Sequence, residues 1–177
     1  MRWVRRQGIM NNYLDRIDSD TPGPRDDVTP LFADFAAFSA LLDDLAALVA
    51  DVPFDVVAAI DALGFILGTG LALRCGVGLV TIRKGGKLPV DADRVTFTDY
   101  SNQAKQLEIR HDMIRHGTRV LLVDEWIETG AQMQAAAALI ERQGAQVAAL
   151  VAIHADVNEH TRPLFARYRC LVLRREE

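Results

Sequence analysis

Two adjacent carboxylates, Asp124 and Glu125, directly follow the apolar run Val120-Leu121-Leu122-Val123. A short turn through Glu128, Thr129 and Gly130 then leads into an Ala-rich stretch that starts at Ala131. The apolar run suits an interior parallel strand covered on both faces. Ligands in open α/β sheets collect where such strands end, and helix N-termini there offer unpaired N–H groups to anions. A carboxylate pair beside those amides is suited to ribose hydroxyls or, through water, to Mg2+ next to a phosphate. The alternative is structural: Asp124 caps the turn and Glu125 is solvated.

These residues need a scaffold, and the chain is long enough to build one. Its 177 residues suit one domain with a substantial core; half of them are hydrophobic and 25% are charged. The net charge of -4 points away from a general nucleic-acid binder. The basic start, Met1 to Arg6, is followed by no apolar stretch, so no signal peptide is expected. No segment approaches the roughly 18 apolar residues of a membrane span. Cys75 and Cys170 sit in apolar segments without metal spacing, which fits buried free thiols in a reducing cytoplasm. His111, His116, His154 and His160 form no ligand-spaced cluster, so no structural zinc is expected.

Hydrophobic spacing places the elements. Phe35, Phe38, Leu41, Leu42, Leu45, Leu48 and Val49 predict an amphipathic helix over about 34–50. Strands are expected at 56–60, 78–82, 119–123, 147–153 and 169–173, and helices at 64–75, about 130–143 and 158–166. This alternation, with short connections, argues for an α/β fold with a doubly wound parallel sheet. Residues 84–106, rich in polar side chains, read as a long mobile loop or a hairpin of functional kind. Residues 1–20 read as an N-terminal arm, and residues 21–177 as a single domain. The prolines at 22, 24 and 30 mark 21–30 as loop.

At this point the residues resemble a known family. The strand, acidic pair and turn resemble the ribose-phosphate motif of type I phosphoribosyltransferases. Two further stretches resemble its adenine phosphoribosyltransferase branch: residues 60–68 its pyrophosphate loop, and Val80 to Pro89 its basic loop. Asp99 and Tyr100, then Leu107 to Ile109, resemble the arm of that branch's flexible catalytic loop. Thr21 to Gly23 and Asp27 to Pro30 resemble its small N-terminal base-binding hood. The resemblance implies an enzyme that joins a purine-type base to phosphoribosyl pyrophosphate (PRPP), as in purine salvage. It implies Mg2+ as cofactor with no direct protein ligands, small-molecule substrates and a homodimer, and neither a nucleic-acid polymer nor a membrane as partner.

It also implies roles. Asp99, Asp124 and Glu125 are the expected catalytic residues, with Asp124 and Glu125 on the ribose 2′- and 3′-hydroxyls. The turn of Glu128, Thr129, Gly130, Ala131 and Gln132 would cradle the 5′-phosphate. Ala62, Leu63, Arg83, Lys84 and Lys87 stand at the pyrophosphate positions, where arginine suits bidentate contacts. Arg25 and Trp126 stand against the base.

The departures from the pattern cluster in this site. Leu63 replaces an arginine, a loss of about 1.5–3 kcal/mol of charged hydrogen bonding to the leaving group. Glu128 replaces a small residue, while Ala131 and Gln132 replace a glycine and a threonine. A carboxylate pointing into an anion nest repels phosphate and accepts a hydrogen bond from a 5′-hydroxyl. Arg25 falls near the base-stacking aromatic, which is absent, and the Trp126 indole is either its substitute or a core residue. Three readings follow: a phosphoribosyltransferase, a binder or enzyme for a nucleoside or 5′-modified ribose, and a non-catalytic nucleotide-sensing regulator.

Overall fold

A computed structural model describes residues 12–23, 26–98 and 103–176. The expected Arg25, Asp99 and Tyr100 contributions lie outside the described residues. Eight strands form one sheet: β1 (Val56–Ile60), β2 (Gly78–Lys84), β3 (Ala92–Thr98), β4 (Ala104–Arg110), β5 (Arg119–Val123), β6 (Trp126–Ile127), β7 (Gln146–Asp156) and β8 (Cys170–Glu176). Their order is β3-β4-β2-β1-β5-β7-β6, with β8 also paired to β7. β1 pairs in parallel with both β2 and β5, and β5, β6 and β8 all pair in parallel with β7. The doubly wound parallel sheet read from the sequence is therefore present, extended at one edge by the antiparallel β3 and β4.

Both faces of the central strands are covered, for a reason visible in their side chains. In β5, Val120 and Leu122 point into one core, while Leu121 and Val123 point into the other. All four are fully buried, each worth about 1.5–3 kcal/mol of apolar transfer. Helices α2 (Phe35–Leu48) and α3 (Leu63–Cys75) pack on the second face. Helix α4 (Ala131–Arg142) packs on the first through Met133, Ala136, Leu139 and Ile140. Asp34 caps α2 by accepting from the Ala37 amide at 2.8 Å. At its C-terminal end α3 stops on Gly76, whose φ of 68° only glycine adopts without strain.

Of the two readings for residues 84–106 the hairpin is the one present, while Thr29-Pro30, the N-terminal segment and the last helix differ from the sequence reading. Residues 92–98 and 104–110 are regular strands, aligned from Ala92 opposite Arg110 to Thr98 opposite Ala104. Only their Val95, Phe97, Leu107 and Ile109 face a core, so the segment reads as polar overall. Thr29-Pro30 opens a short helix, α1 (Thr29–Ala33), because proline in a first helical turn gives up no hydrogen bond. From Asn12 the N-terminal segment is docked: a 3-10 turn (Asn12–Arg16) buries Tyr13 with Ile17 beside α2, and the Tyr13 hydroxyl donates to Asp44. The last helix, α5 (Arg162–Arg167), is shorter than expected and starts at a proline-bearing turn. No helix of the described residues is long and apolar enough to cross a membrane.

Candidate active site

The acidic pair sits where β5 ends and the chain steps sideways into β6. The Asp124 amide donates to the Val151 carbonyl at 3.1 Å, which continues the ladder for one residue. The Glu125 carbonyl then accepts from both Ile153 and His154 amides, at 3.1 and 3.3 Å. That shared acceptor anchors the jog, and the Asp124 and Glu125 carboxyls stay within hydrogen-bonding reach of each other. Asp124 is only 2% exposed, whereas Glu125 is half-buried on the wall of a cavity of about 620 Å³.

The same wall carries Trp126, Glu128, Thr129, Gly130 and Gln132. Gly130 takes φ 73° and turns the chain into α4, whose first-turn amides open on this side. A side chain at Gly130 would be strained by that φ and would crowd the Leu164 methyl, 3.1 Å from the Cβ position. The Asn158 side-chain amide donates to the Glu128 carbonyl at 2.8 Å and holds the turn from behind. Lys84 and Gly85, at the end of β2, form the opposite side with Phe97, Ala104, Lys105 and Gln106 of the hairpin.

Asp124 is tied down from both oxygens. Oδ1 accepts from the Glu125 amide at 3.0 Å, and Oδ2 accepts from the Gln132 side-chain amide at 2.8 Å. Burial, and next the Glu125 charge, push the Asp124 carboxyl well above its ordinary range. Gly64 in α3 lies so close that a Cβ there would stand 3.0 Å from Asp124 Oδ1 and from the Val123 carbonyl. The β1–α3 turn thus abuts the acidic pair.

A second charged group forms at that turn. Asp61 is 7% exposed, and its Oδ2 lies 3.9 Å from Arg83 Nε and 3.8 Å from Lys87 Nζ. Neither Asp61 Oδ2 nor Arg83 Nε makes a hydrogen bond, although both are buried. Two cations and a carboxylate therefore lie at ion-pair distance of 3.8–3.9 Å, with Arg83 Nε left as a donor and Asp61 Oδ2 as an acceptor. Ala62 precedes α3 and Leu63 begins it, so both stand at this turn. Arg83, Lys87, Ala62 and Leu63 are not on the wall of the large cavity, which among the expected cations holds Lys84.

The 85–88 turn is fixed by Glu108, which is fully buried. Its Oε1 accepts from the Lys87 and Leu88 amides at 2.6 and 2.7 Å, and its Oε2 from Arg94 Nε at 3.2 Å. Burial raises this carboxyl, but the Leu88, Lys87 and Gly86 amides and Arg94 together outweigh it and hold the group below its ordinary range.

Trp126 stacks on His154 with ring centroids 3.9 Å apart, and the two residues are register partners across β6 and β7. His154 is fully buried, and its Nε2 lies 2.9 Å from Asp156 Oδ1. A carboxylate only accepts, so the proton of this pair sits on Nε2. Sequence reasoning missed His154, Asp61, Phe97, Lys105 and Gln106. The period-two alternation from Val95 to Phe97 was the available sign that the hairpin would reach the site.

A parallel-dominated sheet with an acidic pair, a glycine turn and a basic strand end around one cavity defines a class. The chain belongs to the phosphoribosyltransferase family, its residues 36–174 matching the phosphoribosyl transferase domain. Within that family its similarity is to adenine phosphoribosyltransferases. The enzyme of Thermotoga neapolitana is 40% identical over 126 residues, 70% of this chain and 72% of the relative. A crystal structure of the Thermoanaerobacter pseudethanolicus enzyme superposes with a TM-score of 0.86 at 29% identity, covering 93% of this chain and 98% of that one. The Giardia lamblia enzyme, solved with 9-deazaadenine, gives 0.81 at 29% identity, covering 91% and 92%.

Proposed function

We propose that this chain transfers the phosphoribosyl group of PRPP to a purine-type base, releasing pyrophosphate and forming a nucleoside monophosphate. The observation that carries the reading is one cavity shared by Glu125, the Glu128–Gln132 turn and Lys84. The acidic pair Asp124 and Glu125 serves the ribose, with Glu125 on the cavity wall, and the amides of Thr129, Gly130, Ala131 and Gln132 receive the 5′-phosphate. Arg83, Lys84 and Lys87, with the backbone at Ala62 and Leu63, take the pyrophosphate. Trp126 flanks the base, and the resemblance assigns Arg25 to the base and Asp99 to the leaving group, both outside the described residues.

The reaction breaks the bond between the anomeric carbon and pyrophosphate oxygen as the base nitrogen forms its own bond there. Positive charge builds on the sugar between the two events. Fixed carboxylates beside the sugar and fixed cations beside the leaving oxygens lower that barrier without reorganising. The β3–β4 hairpin, whose Phe97 and Lys105 line the cavity, excludes water that would hydrolyse the activated sugar.

Among the described residues no three His, Cys, Asp or Glu side chains converge as a metal cage. Mg2+ would need none: it would keep its waters and be carried in on the pyrophosphate oxygens of PRPP, without a direct protein ligand. Bound with PRPP, Mg2+ neutralises charge on the pyrophosphate. In the same reading residues 21–177 act as one catalytic unit with 1–20 as its arm, the protein is a cytoplasmic homodimer, and its ligands are small molecules.

Thermal shift with PRPP–Mg2+, AMP and adenosine tests this, because a ligand of the folded state raises its apparent stability by mass action. PRPP–Mg2+ and AMP are expected to stabilise. Stabilisation by adenosine but not AMP would favour the second reading, in which Glu128 on the cavity wall accepts from a 5′-hydroxyl. Glu128→Ala discriminates further. Removing that carboxylate is expected to tighten AMP about five- to tenfold by calorimetry, a fraction of the unscreened repulsion. Unchanged affinity would place the side chain away from the ligand.

A further inference from the structure

Trp126 and His154 stack with 31° between their ring planes, so His154 covers one face of the indole. The indole also stands on the cavity wall. Strand β6 contains only Trp126 and Ile127, and it lies at the end of the sheet, paired to β7. So short a strand places the backbone and leaves the rotation of the indole to its neighbours. His154 is the neighbour that meets it ring to ring.

His154 is itself clamped. Its amide donates to the Glu125 carbonyl at 3.3 Å, and its Nε2 lies 2.9 Å from Asp156 Oδ1, which fixes the rotation of the ring. Asp156 is held in turn, because the hydroxyl of the fully buried Thr161 donates to its carbonyl at 2.8 Å. His154 is fully buried, and its Nδ1 has no hydrogen-bond partner among the described residues. An unpaired buried nitrogen costs stability that an aliphatic side chain at this place would not. What histidine adds here is a flat ring face held at a fixed angle.

We propose that His154 is the positioning residue of the base subsite: fixed by Asp156, it backs the Trp126 indole and holds the other indole face as a stacking platform for the ligand's base. The inference rests on the phosphoribosyl reading above and deepens it at the base. The ligand class is a nucleotide with a planar aromatic base, whose π face meets the indole. Stacking reads ring area rather than edge groups, so the platform favours a two-ring base over a one-ring base. It leaves the ribose and phosphate contacts to the residues already assigned to them.

Calorimetric titration of the full chain with AMP and with ribose 5-phosphate, which lacks the base, tests this. The wild-type protein is expected to bind AMP about tenfold more tightly, the worth of one stacked base. His154→Leu is expected to cut that advantage about three- to tenfold while ribose 5-phosphate affinity stays within about twofold. His154→Gln keeps a polar side chain but no ring, is expected to lose as much, and covers the case in which the apolar variant misfolds. Combined with Trp126→Leu, His154→Leu is expected to weaken AMP no further than Trp126→Leu alone, because His154 acts through the indole. A Trp3→Phe background leaves Trp126 as the one tryptophan of the chain, and there AMP is expected to quench the emission while ribose 5-phosphate does not. An AMP advantage unchanged in both His154 variants overturns the inference, as does an equal loss for the two ligands in a variant that still melts cooperatively. Additive losses in the combined variant, or no quenching by AMP, also overturn it. Equal wild-type affinities for the two ligands overturn it and leave the ribose-phosphate site standing. Failure of the wild-type protein to bind either ligand overturns both.

Discussion

Glu125→Ala is expected to lower kcat/KM for the base and PRPP by about 10²- to 10³-fold, the usual cost of removing one preorganised group from a charge-developing centre. Glu125 is the half-buried carboxylate of the acidic pair that reaches the cavity. Its backbone is anchored independently, by the Ile153 and His154 amides on its carbonyl at 3.1 and 3.3 Å. The side chain can therefore be removed without releasing the jog between β5 and β6. The melting temperature is expected to stay near wild type while turnover collapses. Steady-state rates with saturating PRPP, together with a thermal melt, separate these effects. A rate within about threefold of wild type would remove Glu125 from the chemistry, since an exposed carboxylate contributes no more than ~1 kcal/mol.

Glu108→Ala is expected to be the most destabilising change in the basic loop, by about 3–4 kcal/mol in urea unfolding. The buried carboxylate satisfies the Lys87 and Leu88 amides and Arg94 at once. Truncation removes two charge-assisted hydrogen bonds to backbone amides, at about 1.5–3 kcal/mol each. It also frees the 85–88 turn that places Lys87 near Asp61, so affinity for PRPP is expected to fall as well. The pH dependence follows from the same bonds. The folded Glu108 is held below its ordinary value, so its contribution is fully present above the unfolded value of ~4.3. It is lost as pH falls through the lower folded value. Wild-type stability should therefore decline below about pH 4 more steeply than that of Glu108→Ala. Parallel slopes for the two proteins would show that the carboxylate carries no such linkage.

Sequence legibility followed the range of the interactions involved. Strands β1 and β5 are continuous apolar runs buried on both sides, and both were located to the residue. The helix expected over about 34–50 is Phe35–Leu48, with the cap at Asp34 setting its start. Glu125, Glu128, Thr129, Gly130 and Gln132 are local to one turn, so their gathering at a strand end was readable from spacing. Contacts across the sheet were not readable in that way. The Trp126–His154 stack depends on the register of β6 against β7, and Lys105 reaches the cavity through the β3–β4 alignment. The Asp61, Arg83 and Lys87 group joins the ends of two parallel strands separated by α3. The burial of Asp124 beside a half-buried Glu125 depends on packing against Gly64 of α3 and Gln132 of α4, which no side-chain period records.

Incubation of the full chain with PRPP, Mg2+ and adenine, guanine or hypoxanthine, with pyrophosphate and nucleotide both quantified, tests the central claim most directly. The expected result is a nucleoside monophosphate and pyrophosphate in equal amounts from at least one purine, formed about 10²- to 10³-fold more slowly by the Glu125→Ala protein. Absence of pyrophosphate with every base, while the protein is stabilised by adenosine and not by AMP, would contradict it.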